Sequence, residues 1–151
     1  MLLKSIGICV LGVTLIGSAS NADAVPCAVI GDSIAVGIAA QLPACRRNAK
    51  IGIPSTAVVS RVDKSAAVTV VSAGSNDPLN PKLTENLKRI RNRAKRVVWV
   101  LPVNPKARAA VKAVAAAYGD PTVSFAPAGD HVHPQSYAAL ANAVSSAAAL
   151  R

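Results

Sequence analysis

Three short segments of this 151-residue chain carry side chains that could perform chemistry together. They are Gly31-Asp32-Ser33, Gly74-Ser75-Asn76-Asp77 and Asp130-His131-Val132-His133. A serine hydroxyl is a weak nucleophile at neutral pH and needs a base within hydrogen-bond reach, a role that an imidazole can fill. We therefore predict that Ser33 is a nucleophile and that His133 is its general base.

Two further side chains fit the same chemistry. Asp130 precedes His133 by three residues, so it could accept the other imidazole N–H, fix the tautomer and stabilise the imidazolium cation. Asn76 is a neutral amide donor that could hydrogen-bond a developing oxyanion. Taken singly, each segment is better explained by a helix cap or a turn. Their combination predicts an active site for acyl transfer.

In their order along the chain, these segments resemble the characteristic blocks of the SGNH hydrolase superfamily, the GDSL-like esterases and lipases. The blocks are GDS, GxND and DxxH, and the resemblance covers nearly all of the chain beyond residue 24. It implies Ser33 as nucleophile, Asn76 as an oxyanion donor, and Asp130 with His133 as acid and base. It also implies an esterase, lipase, thioesterase or carbohydrate deacetylase that requires no cofactor.

A fourth block of that superfamily supplies a main-chain oxyanion donor from a glycine after the second strand, and here the match is poorer. The local sequence is Gly52-Ile53-Pro54-Ser55. Gly52 is the only glycine there, but the register could instead place Ser55 at the donor position. Gly52 and Ser55 are therefore alternatives, beside the predicted contributions of Asn76 and the Ser33 amide.

The elements that must position these residues alternate between strand and helix patterns, with no internal repeat and no linker. Strands are predicted at 28–30, 49–51, 67–72, 96–101 and 122–125. Helices are predicted at 33–43, 81–95 and 105–118, and from Pro134 to the C-terminus. A short helix through Val58 and Val62 is predicted after a turn at Pro54-Ser55. This alternation predicts an α/β fold, a three-layer α/β/α sandwich with a flavodoxin-like five-stranded parallel sheet. Ligands of such folds bind beyond the carboxyl ends of the strands.

The first 24 residues have the composition of an export signal. Lys4 gives the N-terminal region a positive charge, and residues 6–16 are almost wholly apolar. Ala22-Asp23-Ala24 has small residues at the spacing of a signal-peptidase cleavage site. The apolar run is shorter than the roughly 20 residues that span a bilayer. An uncleaved anchor or a buried first helix is the alternative. We predict a signal peptide at 1–24, one domain at 25–151, and a periplasmic or secreted location.

The cysteines are consistent with export. Cys9 would leave with the signal, so Cys27 and Cys45 would remain as an even pair in an oxidising compartment. We predict a disulfide that ties the first strand to the end of the following helix and contributes about 2–4 kcal/mol. The alternative is two independent buried thiols.

A net charge of +10 favours an anionic partner or environment. The strongest basic feature comprises Lys88, Arg89, Arg91, Arg93, Lys95 and Arg96. These residues could bind an anionic polymer or a membrane surface, or they could form an ordinary solvated helix face. Aromatic residues make up only 3% of the chain, which argues against a single-stranded nucleic-acid partner.

Two alternatives to a serine enzyme remain at this point. His131 and His133 with Asp130 could ligate a metal ion, but the sequence has no further histidine, so we predict no metal site. The chain could also be a non-catalytic SGNH-like scaffold or a basic protein that binds an anionic envelope polymer. Export and positive charge favour an acylated cell-envelope glycan or lipid as substrate, while the acyl group and the oligomeric state stay open.

Overall fold

The structure, a computed structural model, describes residues 26–150. The predicted signal peptide lies outside these residues. The elements follow the order β1 Cys27–Gly31, α1 Ser33–Gln41, β2 Arg46–Ala49, α2 Ser55–Val59, β3 Val68–Ser72, α3 Leu83–Arg91, β4 Val97–Val100, α4 Pro105–Tyr118, β5 Thr122–Val123 and α5 Tyr137–Ala148. No helix in this part of the chain has the length and apolarity needed to cross a bilayer.

All five strands are parallel, and their order across the sheet is β2-β1-β3-β4-β5. This is the flavodoxin-like order, so the predicted fold class is confirmed. Every residue of β1, β3 and β4 is buried, because helices cover both faces of the sheet. The same burial explains why β4 is a continuous apolar run rather than an alternating pattern.

The sheet separates two hydrophobic cores. Ile30 and Trp99 point toward one face, where they pack with apolar residues of α2, α3 and α4. Val29 and Val98 point toward the other face, where α1 and α5 cover them. Because successive strand residues alternate between faces, each strand contributes to both cores and fixes the helices on either side.

Cys27 and Cys45 form the predicted disulfide, with their Cα atoms 4.7 Å apart. The bridge joins the start of β1 to the residue that precedes β2, and both cysteines are buried. Closing a loop of this length contributes about 3 kcal/mol, in the view that attributes the effect to chain entropy.

Several predicted boundaries are wrong by two to four residues. Among them, α2 is Ser55–Val59, whereas the prediction had a turn at Pro54-Ser55 and a helix through Val58 and Val62, and α3 is Leu83–Arg91 rather than 81–95. β2 is Arg46–Ala49 rather than 49–51; it is an edge strand that pairs only with β1, and its exposed arginines hide the strand pattern. α5 begins at Tyr137 rather than Pro134, because the Ser136 hydroxyl caps it by accepting the Ala139 N–H at 3.1 Å. In contrast, α4 has its predicted bounds.

Candidate active site

The turn from β1 into α1 depends on a glycine. Gly31 has φ +134°, and a Cβ there would lie 1.9 Å from the Ser72 carbonyl oxygen. Asp32 follows as the N-cap of α1, and its Oδ1 accepts the Ile34 N–H at 3.1 Å and the Ser72 hydroxyl at 2.8 Å. Ser33 therefore begins α1 at the carboxyl edge of the sheet, with its side chain half-buried.

The structure brings Ser33, His133 and Asp130 into one hydrogen-bonded chain. His133 Nε2 lies 2.9 Å from Ser33 Oγ, and His133 Nδ1 lies 2.5 Å from Asp130 Oδ2. One tautomer satisfies both contacts: Nδ1–H donates to the carboxylate, and Nε2 accepts from the serine hydroxyl. This is the geometry in which an imidazole can remove the Ser33 proton.

The loop between β5 and α5 holds the imidazole in place. Asp130 Oδ1 accepts the main-chain N–H groups of Val132 at 3.0 Å and His133 at 2.9 Å. The Ala128 N–H donates to the His133 carbonyl at 2.7 Å. His131 has φ +59°, in the left-handed region that histidine enters more readily than most residues. Asp130 thus organises the turn as well as contacting the ring.

Asp130 is held in its ionised form. The Val132 amide, the His133 side chain and the His133 amide all bond to the charged carboxylate, and they hold the pKa of Asp130 well below its usual range. The side chain remains 51% exposed, so burial opposes this effect only weakly. The imidazole therefore faces a constant negative charge.

Asn76 lies beside the loop that follows β2. Its Nδ2 donates to the Ile53 carbonyl at 3.0 Å, which fixes the amide and leaves a second N–H for another acceptor. Gly52 lies in the same loop, exposed, with φ +76°. The loops after β2 and β3 are thereby joined at the carboxyl edge of the sheet.

Ser55 does not take the predicted role of main-chain oxyanion donor. Its main-chain N–H donates to Asp77 Oδ1 at 3.1 Å, and its hydroxyl donates to Asp77 Oδ2 at 2.5 Å. Asn86 Nδ2 donates to the same hydroxyl at 3.0 Å. Ser55 is fully buried, so this cluster clamps α2 and α3 to the loop that carries Asn76. The Ser55 amide is therefore already bonded, and the role of Gly52 as a main-chain donor stays a prediction.

No protein-family model matches the chain, and no curated protein matches it. Among solved structures, it is similar to the C-terminal catalytic domain of peptidoglycan O-acetyltransferase A of Streptococcus pneumoniae, determined with a methylsulfonyl adduct. The TM-score is 0.54 at 16% sequence identity, over 83% of this chain and 91% of that chain. The two chains therefore share a fold. The predicted α/β architecture is confirmed by the all-parallel five-stranded sheet, while the chemistry rests on this chain's own residues.

An open groove of about 280 Å³ lies beside the loop that carries Asp130 and His133. Three loops of the carboxyl edge line it, through Ser75, Pro78, Val103, Asn104, Pro105, His131 and Val132. Its polar lining residues are Ser75, Asn104 and His131, and the others are aliphatic. A substrate group can therefore lie against the loop that holds His133.

Sequence reasoning did not single out the buried carboxyl of Asp32. Burial raises its pKa, against the opposing hydrogen bonds from the Ser72 hydroxyl and the Ile34 amide. Its second oxygen, Oδ2, has no hydrogen-bond partner within the described residues. The signal available in the sequence was its N-cap position before a helix. Asp32 braces the turn that presents Ser33.

Two other features of the sequence, the metal-site alternative at His131 and His133 and the basic segment from Lys88 to Arg96, can be compared with the structure. Within residues 26–150, no three His, Cys, Asp or Glu side chains form a set that could hold a metal ion. The residues from Lys88 to Arg96 occupy the second half of α3 and the loop before β4. They therefore lie toward the opposite, amino edge of the sheet.

Proposed function

We propose that this protein is an exported serine esterase that acts through an acyl-Ser33 intermediate. The observation that supports it is the hydrogen-bonded chain from Ser33 through His133 to Asp130, with contacts of 2.9 and 2.5 Å. Nucleophile, base and orienting carboxylate come from two loops that are far apart in sequence. Such a chain is the functional signature of serine acyl transfer.

In the first half of the reaction, Ser33 Oγ attacks the carbonyl carbon of an ester as His133 Nε2 takes the hydroxyl proton. Asp130 stays ionised and stabilises the imidazolium that forms. His133 then returns the proton to the departing alcohol oxygen as the C–O bond of the ester breaks. The products are an alcohol and an acyl ester on Ser33.

The negative oxygen of the tetrahedral intermediate requires hydrogen-bond donors. We assign this role to the Nδ2 of Asn76, the main-chain amide of Ser33 at the start of α1, and the loop that contains Gly52. Asn76 is held in advance by its bond to the Ile53 carbonyl, so little reorganisation is needed. One such donor contributes about 3–4 kcal/mol to transition-state stabilisation.

The second half of the reaction needs an acceptor for the acyl group. With water as acceptor, His133 removes a water proton and the acyl group leaves as a carboxylic acid. With a hydroxyl as acceptor, the same steps form a new ester. The O-acetyltransferase with the similar fold supports the second route and a cell-envelope glycan as the acylated molecule.

Export is part of the proposal. The signal-like segment at 1–24 favours it, and the Cys27–Cys45 disulfide supports it because structural disulfides persist mainly in oxidising compartments. An esterase in the periplasm or outside the cell would meet acylated envelope glycans and lipids.

The test is labelling of the oxidised protein with a fluorophosphonate probe, together with turnover of p-nitrophenyl acetate. We expect the probe to modify Ser33, and Ser33→Ala to lower kcat/KM by roughly 10⁴-fold or more. Ser124→Ala, which changes an exposed serine of the β5–α5 loop, is the matched control and should retain full activity. Turnover that survives Ser33→Ala would refute the assigned nucleophile.

A competition experiment separates the two acceptors. Hydrolysis predicts that acetate release from p-nitrophenyl acetate equals p-nitrophenol release in the presence of a chito-oligosaccharide. Transfer predicts that acetate release falls behind and that the oligosaccharide gains acetyl groups, detected by mass spectrometry. The second result would change the class of the enzyme while leaving Ser33 and His133 in their roles.

A further inference from the structure

The charges of the described residues are segregated along the strand axis. We call the end of the sheet that carries Ser33 the site edge, and the opposite end the basic edge. The segments at the site edge carry four cationic and four acidic side chains: Lys50, Lys82, Lys106, Arg108, Asp32, Asp77, Glu85 and Asp130. Those at the basic edge carry nine cationic side chains and two acidic ones: Arg46, Arg61, Lys64, Lys88, Arg89, Arg91, Arg93, Lys95, Arg96, Asp63 and Asp120.

Contacts between separate segments unite the basic edge into one surface. Arg93 Nη1 donates to the Val59 carbonyl at 3.2 Å, which joins the loop after α3 to the end of α2. Arg46 and Asp63 form an ion pair at 2.5 Å across the start of β2. The basic segment from Lys88 to Arg96 is thus extended by cations from two other parts of the chain. A solvated helix face does not explain this convergence.

The two carboxylates of the basic edge are already engaged. Asp63 pairs with Arg46, and Asp120 accepts from Arg91 at 2.6 Å and from the buried Trp99 indole at 3.1 Å. Four exposed cations of this edge donate no hydrogen bond within residues 26–150: Lys64, Lys88, Arg89 and Lys95. Glu85 lies one turn before Lys88 and Arg89 on α3, but the excess of positive charge at this edge still carries a cost in repulsion.

We propose that the basic edge binds a flexible polyanion with repeating phosphate groups, and that this binding holds the enzyme to its substrate's surroundings with the active site facing away. Lys64, Lys88, Arg89 and Lys95 can each pair with phosphate oxygens, and a flexible chain of phosphates can follow cations from several segments. The inference concerns a second site, so it does not depend on the catalytic role of Ser33.

The apolar surface favours a polymer over a membrane. Three of the exposed large apolar side chains, Ile51, Leu79 and Val132, belong to loops at the site edge. At the basic edge the exposed large apolar side chain of the described chain is Tyr118. Its hydroxyl donates to Asn92 at 2.7 Å, and the Arg91 guanidinium lies 5.1 Å from its ring centre. Within residues 26–150, the basic edge therefore offers no large exposed aliphatic side chain as an anchor for a bilayer.

The experiment measures binding to long-chain inorganic polyphosphate at increasing salt concentration. Counterion release predicts that log K falls linearly with log[NaCl], with a slope of about −0.7 for each cation engaged. The basic-edge variant replaces Lys64, Lys88, Arg89 and Lys95 with glutamine. We expect it to bind roughly a hundred- to a thousandfold more weakly near 0.15 M salt and to lose about three units of slope.

The matched control replaces Lys50, Lys82, Lys106 and Lys112 with glutamine and so removes the same net charge elsewhere. It should change polyphosphate affinity by less than about threefold, since these lysines lie outside the segments that form the basic edge. Equal weakening in both variants would show a net-charge effect and overturn the proposal. Thermal melts of both variants check that they fold.

Two further arms complete the test. Phosphatidylglycerol vesicles or a single-stranded oligonucleotide that bind more tightly than polyphosphate, at equal phosphate concentration, would overturn the choice of partner. Ser33→Ala should bind polyphosphate like the unmodified protein, and the basic-edge variant should retain esterase activity. The binding experiment can therefore be interpreted even if the protein shows no esterase activity.

Discussion

The site edge and the basic edge of the same sheet are organised in opposite ways. At the site edge, polar groups bond to one another: Ser33 to His133, His133 to Asp130, and Ser55 to Asp77. At the basic edge, like charges accumulate and several cations have no partner among the described residues. A parallel sheet makes this division available, because the loops that follow strands meet at one end and those that precede them meet at the other.

This difference predicts different sensitivities to mutation. Catalysis depends on donors and acceptors held within tenths of an ångström, so removal of one group should have a large effect. Polyanion binding depends on the density of charge, so each cation should contribute modestly and several must be removed together. The following predictions proceed from the largest expected effect to the smallest.

His133→Ala should separate the two edges most sharply. Loss of the base should lower kcat/KM for p-nitrophenyl acetate by roughly 10⁴-fold or more, because the Ser33 hydroxyl is then not activated. Polyphosphate affinity should not change. His131→Ala removes the neighbouring imidazole and is the control, for which we expect a much smaller loss. Equal losses in the two variants would mean that the imidazole assignment is incorrect.

Asn76→Ala tests the oxyanion donor. We expect kcat to fall by about 10²- to 10³-fold with a smaller change in KM, since the lost interaction belongs mainly to the transition state. Asn142→Ala changes an exposed asparagine of α5 and should leave steady-state kinetics unaltered. A rise in KM alone would instead assign Asn76 to substrate binding.

Ser55→Ala tests the clamp that replaces the predicted oxyanion role of this residue. The change leaves an Asp77 oxygen and the Asn86 amide without their shared hydroxyl, so the free energy of unfolding should fall by about 2 kcal/mol. Urea denaturation measures this change. Ser60→Ala, which removes an exposed hydroxyl bonded to the Ala57 carbonyl, should cost less than about 0.5 kcal/mol. If Ser55→Ala lowers the free energy of unfolding by no more than Ser60→Ala does, the structural role assigned to Ser55 is wrong.

Asp32→Asn should have the smallest effect, a change in the free energy of unfolding that varies with pH. Because burial raises the pKa of Asp32 in the folded state, the folded protein binds more protons than the unfolded chain above about pH 4. Its stability should therefore fall as the pH rises through this window. The asparagine variant has no titrating group at this position, so its stability relative to the unmodified protein should increase as the pH rises above about 4 in urea titrations. A constant difference would show that Asp32 does not titrate in this range.

Much of the candidate site could be predicted from the sequence because its parts are local motifs. Gly31, Ser33 and the Asp130–His133 spacing carry their chemistry within a few residues, and apolar strand patterns indicate where each motif lies. Ser55 shows the limit of this reasoning. Its partner Asp77 is 22 residues away, and a main-chain amide already bonded to a carboxylate cannot be distinguished in sequence from a free one.

The sequence by itself determined the alternation of strands and helices, the residue types able to perform acyl transfer, the cysteine pair and the large positive charge. The tertiary structure alone decided which of these groups meet. In the folded protein the His133 ring contacts Ser33, which is 100 residues away in sequence. Ser55 is hydrogen-bonded to Asp77, and cations from three segments lie at one edge of the sheet. The physical reason is that local patterns specify elements, whereas contacts between distant loops follow from strand order and helix packing, which no single segment encodes.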